Sequence, residues 1–118
     1  MTVENDIFSA LKSLVSSRVY RDIAKPNAEL PRITFQQVGG VAVNFLDPTV
    51  PSKKNARFQI DCWAEHRDEV AALSRQAENA LRAYTALQTA VLGAPVASRE
   101  PETGLFRTTQ DFSFWHAS

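Results

Sequence analysis

Two segments with alternating apolar and polar side chains bracket one long amphipathic stretch, and this arrangement constrains the fold more than any other feature. The first is Arg57-Phe58-Gln59-Ile60-Asp61-Cys62-Trp63-Ala64. The second runs from Thr103-Gly104-Leu105-Phe106-Arg107 to Asp111-Phe112-Ser113-Phe114-Trp115-His116. Period-two alternation is what a strand shows when one side of its sheet lies on a core. In the first segment Phe58, Ile60 and Cys62 share a face, with Arg57, Gln59, Asp61 and Trp63 on the other. In the second, Phe106, Thr108, Gln110, Phe112 and Phe114 fall opposite Leu105, Arg107, Thr109, Asp111, Ser113 and Trp115. Between them the spacing predicts a helix from about Arg67 to Tyr84. Its buried stripe is Val70, Leu73, Ala77, Ala80, Leu81 and Tyr84, and Arg67, Glu69, Arg75, Glu78 and Arg82 form its solvated face.

Upstream, Ile7, Phe8, Leu11, Leu14 and Val15 mark an earlier helix, with Asn5 or Asp6 as its cap and Ser16-Ser17-Arg18 as its end. Val19-Tyr20-Arg21 reads as a short extended piece before a loop carrying Pro26 and Pro31. Ile33 to Val38 is a strand by its β-branched and aromatic content, interrupted at Gly39-Gly40. Val41 to Leu46 is expected to resume as a strand, either as a hairpin around the two glycines or as one bent strand. Asp47 to Asn55, with Pro48 and Pro51, reads as an exposed, mobile loop. Late in the chain, Thr89 to Leu92 and Val96 to Arg99 are short strands, and Glu100 to Gly104 is a turn. A single α+β domain over residues 1–118 is expected, a mostly antiparallel sheet with two main helices packed on one face.

The chain has 118 residues, 44% of them hydrophobic and 22% charged, which suits one globular core. Its 13 basic and 13 acidic side chains cancel. A protein holding nucleic acid by neutralising phosphates would carry a basic excess, so a dedicated DNA-binding module is disfavoured. Neutrality also removes the repulsion that keeps copies apart. One cysteine cannot form an internal disulfide, no apolar run is long enough to span a bilayer, and the acidic start lacks a signal-peptide pattern. These features give the expectation of a cytoplasmic protein with no membrane partner.

No catalytic constellation emerges. Asp61, Cys62, Glu65, His66 and the distant His116 are the only metal suspects, and neighbours on a strand point to opposite faces. Cys62 lies among Phe58 and Ile60, surroundings that keep a thiol inert. Gly39-Gly40 has neither phosphate-loop spacing nor a following helix. No catalytic residue, metal or cofactor is therefore expected. The features that remain are surface ones. Trp63 and Trp115 share strand faces with Arg57 and Asp61, and with Arg107 and Asp111. Large aromatics beside arginines are anchors at subunit interfaces, and equally they are lids over a core edge. Asp47, Lys53, Lys54 and Asn55 would belong to the mobile loop, which could face a partner or a channel.

With these segments in this order, the chain resembles the tail completion family of tailed phages and prophages, which is related to tail terminator and tail-to-head joining proteins. The likeness rests on Phe58 to Ala64, the helix from about Arg67, and Glu102 to Arg107 with Asp111 to His116. It extends to Leu30-Pro31-Arg32-Ile33-Thr34-Phe35 after the first helix. Cys62 departs from it, standing where an apolar β-branched residue is expected. The resemblance implies a structural subunit, not an enzyme, assembled in the bacterial host cytoplasm and carried in the virion tail. It implies self-association as a ring, typically a hexamer, that caps the head-proximal end of the tail tube. Its partners would be other copies of the chain, the tail tube protein and the head–tail connector, with DNA met only by passage through a channel. A head-closure or neck adaptor, or another minor virion protein, is the rival within the virion; a small α+β ligand-binding domain or enzyme is the rival outside it.

Overall fold

The computed structural model describes residues 2–117. Helix α1 (Val3–Leu11) is capped by Thr2, whose hydroxyl accepts the Asn5 N–H at 3.1 Å, rather than by Asn5 or Asp6. The earlier start carries Val3 into the core beside Ile7 and Leu11. Asp6 lies buried inside the helix, where its carboxylate accepts the Tyr84 hydroxyl at 3.4 Å. A short 3-10 turn and two left-handed residues, Ser16 and Ser17, then end the helical region.

The strands are β1 (Val19–Arg21), β2 (Arg32–Gly39), β3 (Lys53–Ala64), β4 (Ala90–Val91), β5 (Val96–Arg99) and β6 (Phe106–Ala117), with helix α2 (Arg67–Ala83) between β3 and β4. They form one sheet in the order β1-β2-β3-β6-β4, with β5 beside another stretch of β6. Among the described residues only the β1–β2 pair is parallel. The α+β expectation holds, including both helices on one face. Val70, Leu73, Ala77 and Leu81 of α2 and Ile7 and Leu11 of α1 share a core with Phe58, Ile60, Cys62, Phe112 and Phe114. Phe58 packs against Phe35 and Phe114 with ring centroids 6.0 and 5.8 Å apart, which knits β2, β3 and β6 together. Gln110 is one of the polar side chains buried in this layer, with Thr108 of the same strand and Ser74 of α2. Its amide nitrogen donates to Glu78 Oε1 at 2.8 Å and to the Gly93 carbonyl at 2.9 Å, so it ties β6 to α2 and to the β4–β5 connection.

Two expectations need correction. Val41 to Leu46 is not a strand, and the chain makes neither a tight hairpin at Gly39-Gly40 nor one bent strand. Instead β2 and β3 pair antiparallel and residues 40–52 join them as a projecting arm. The register breaks between Gln37 and Gly39. Gly40, at φ +153°, passes so close to β3 that an added Cβ would lie 2.5 Å from the Asn55 carbonyl oxygen. The backbone is thereby steered off the sheet, and a strand-competent sequence without a neighbouring strand has nowhere to place its hydrogen bonds. The second correction is that Lys53, Lys54 and Asn55 are not loop. They begin β3, because β6 runs on to meet them, pairing Ala117, His116 and Trp115 respectively.

Candidate functional site

Among the described residues no helix or further sheet packs on the sheet face away from the helices, and only the segment of residues 22–27 walls part of it. Alternation places Arg57, Asp61 and Trp63 of β3 and Arg107, Asp111 and Trp115 of β6 on it, opposite the core-facing Phe58, Ile60, Phe112 and Phe114. The six side chains fall at three stations along the face rather than in one cluster.

At one end, Arg32, Trp63 and Arg107 stand side by side across β2, β3 and β6. The guanidinium carbons of Arg32 and Arg107 lie 5.6 and 5.1 Å from the Trp63 ring centroid, within cation–π range. The indole N–H donates to the Thr34 hydroxyl at 3.1 Å, which fixes the ring. Asp61 is beside it, buried, and accepts the Gln59 amide at 3.3 and 3.4 Å. The segment following β1 walls this station into a groove of about 540 Å³, with Ile23 and Lys25 on its rim. Arg32 Nη1 donates to the Ala28 carbonyl at 3.0 Å, while its Nε is buried without an acceptor. Among the described residues neither Arg32 nor Arg107 has a carboxylate at ion-pair distance.

In the middle, Arg57 and Asp111 pair with each other. At the far end Trp115 lies half-buried opposite Asn55. Asn55 is itself engaged: its amide donates to the Ser113 hydroxyl at 2.7 Å and its Oδ1 accepts the Val41 N–H at 2.9 Å. It is thus the hinge pin of the arm. Lys53 and Lys54 are exposed at the base of the arm and Asp47 stands near its tip. Val41, Phe45, Leu46 and Val50 all present their apolar side chains to solvent along it.

Sequence reasoning missed Arg32. The signal was present, because core positions Ile33 and Phe35 force Arg32 and Thr34 onto the opposite face. It also missed a counterpart on the helix side, where Arg67 and Arg99 lie 4.7 and 5.3 Å from the Phe106 ring centroid.

Burial pushes the Cys62 thiol up to about 12, against a hydrogen bond with Thr108 that lowers it. Such a thiol is a poor nucleophile near neutrality. His66 precedes α2 at one end of the sheet, whereas His116 pairs with Lys54 at the other. Among the described residues no three His, Cys, Asp or Glu side chains come together to hold a metal ion, and no helix is long and apolar enough to cross a membrane.

A family model described as tail completion protein gp17 matches residues 8–117. Among solved structures, a chain of the virion of native gene transfer agent (GTA) particle superposes with a TM-score of 0.61 at 14% identity. The superposition covers 98% of this chain and 95% of that one, and at such identity it speaks to the fold alone. A search of curated proteins returns no match. With the family matched from α1 to the end of β6, the chain belongs to the tail completion protein gp17 family, whose members are structural phage tail proteins and not enzymes.

Proposed function

We propose that this protein closes the head-proximal end of a phage tail tube as a ring of identical copies, typically six, and offers the ring's outer side to the head connector. A closed ring of identical subunits uses a heterologous contact, in which each copy brings two different patches that fit each other. The observation that carries the reading is that this molecule exposes two chemically different patches, at opposite ends of the β2–β3 pair. One is the apolar arm of residues 40–52; the other is the groove floored by Trp63 and flanked by unpaired arginines. Zero formal net charge removes the general repulsion that would oppose packing the copies together.

In this reading the mechanism is geometric. Copies assemble in the host cytoplasm, the ring seats on the last tube layer and leaves no further site for tube protein, and DNA meets it only in passage. The test is polymerisation of purified tail tube protein with and without this chain, read by electron microscopy. The expected result is a density at one tube end and arrested elongation; tubes that grow to the same lengths with bare ends would contradict it.

A further inference from the structure

We propose that the tip of the arm, Phe45-Leu46-Asp47, docks into the Arg32–Trp63–Arg107 groove of the next copy of this chain. The inference rests on the ring reading above and names the two surfaces that would meet.

Among the described residues the two arginines of the groove lack a carboxylate partner. Arg32 and Arg107 both stack on Trp63, neither has an ion pair among the described residues, and the buried Nε of Arg32 has no acceptor. Asp22, Asp61 and Glu100 also line the groove, yet none of them pairs with either arginine. A guanidinium with no carboxylate partner can take one from outside through two parallel hydrogen bonds. The arm lacks a cover. Phe45 is 53% exposed and Leu46 is fully exposed, next to a fully solvated Asp47. Hydrogen bonds from Thr49, the side chain first and then the backbone N–H, hold the Asp47 carboxyl below the usual carboxylate range, so it is ionised near neutrality. Asp47 supplies the missing carboxylate; Phe45 and Leu46 supply apolar area for the indole of Trp63 and for Ile23, itself 81% exposed on the rim.

Chain length decides whose groove is filled. Along β3, Lys53 and Trp63 are about 33 Å apart. The tether from Lys53 back to Asp47 spans at most about 21 Å when fully extended. The arm also leaves the sheet at the end opposite the groove. Its tip therefore falls short of its own groove, and a second copy is the occupant.

The test uses a fluorescently labelled peptide of residues 40–52 and full-length protein carrying Asp47→Arg, whose own arm is disabled while its groove is intact. Asp47 is fully solvated and its hydrogen bond is to Thr49 within the arm, so this variant should keep the fold. The expected result is saturable binding by anisotropy, weakened about tenfold or more when the peptide itself carries Asp47→Arg. Protein with Arg107→Asp should in turn recover binding of the Arg-bearing peptide. No binding, or equal binding of the two peptides, overturns the proposal whether or not the native chain forms rings. The native chain's own mass in solution reports on the ring separately. If native rings form and Asp47→Arg rings form equally well, the ring reading stands and the docking proposal falls.

Discussion

Arg57 and Asp111 satisfy each other across β3 and β6: Nη2 and Nε of Arg57 donate to one carboxylate oxygen of Asp111 at 2.6 and 3.1 Å. Both residues lie on the open face and read from the sequence as candidate interface groups, but within one molecule they are already paired. Half of the arginine side chain is exposed, so the pair contributes only about 0.5 kcal/mol after screening by solvent. Asp111→Asn should lower the urea midpoint slightly and leave self-association unchanged. A large loss of association with unchanged folding would make this pair an anchor after all.

Trp63 differs from Arg57 because its neighbours are unpaired cations and its ring faces an open groove. Trp63→Ala should weaken association by a factor of about ten or more while costing the fold less than a buried aromatic truncation would, about 3–5 kcal/mol. Trp115→Ala is the companion variant, beside the arm's hinge pin at the other end of the face. The check is association by sedimentation set against urea unfolding of the same variant. If either variant unfolds at the urea concentration where it also loses association, that tryptophan is a core residue rather than an anchor.

The alternating strands and the long helix were legible because burial on one side writes a periodic pattern. Phe58, Ile60 and Cys62, then Phe112 and Phe114, then Val70, Leu73, Ala77 and Leu81 occupy the core positions their spacing predicts. The arm was not legible. Val41 to Leu46 has the composition of a strand, and only the missing partner, together with the close pass of Gly40 over Asn55, keeps it out of the sheet. Local composition misled at Lys53 to Asn55 as well, where the pairing supplied by the distant residues 115–117 prevails over a polar, proline-flanked context. Of the candidate site, the face was legible from strand alternation. The grouping along it was not, since cross-strand register brings Arg32 to Trp63 and no local pattern encodes register.

Cys62 should behave as a small apolar side chain. Its folded-state value near 12 stands above the ordinary 9.0, so the folded protein holds the proton where the unfolded chain has lost it. The associated stability is intact below about pH 9 and declines as pH rises toward 12. At pH 8 a thiol reagent should label the native protein negligibly and the urea-unfolded protein fully. Cys62→Val should change stability by less than about 1.5 kcal/mol and leave association intact. Rapid labelling of the native state would contradict this burial.

Glu78 gives the acid limb of stability. The Gln110 amide, and secondarily Arg82, hold its carboxyl below the ordinary 4.5. Its contribution is therefore present above that pH and is lost as pH falls through the lower, folded-state value. Glu78→Gln should flatten the fall in urea midpoint as pH drops below the ordinary 4.5. An unchanged acid slope would show that the Gln110–Glu78 bond does not operate in solution.

The most direct test of the central claim is the solution mass of the native chain, by light scattering on a sizing column across a concentration series, with and without tail tube protein. The account predicts a discrete closed species, roughly 79 kDa for six copies of the 13.1 kDa chain. It forms either alone at high concentration or on tube ends. A chain that stays monomeric at every concentration and in the presence of tube ends would contradict it.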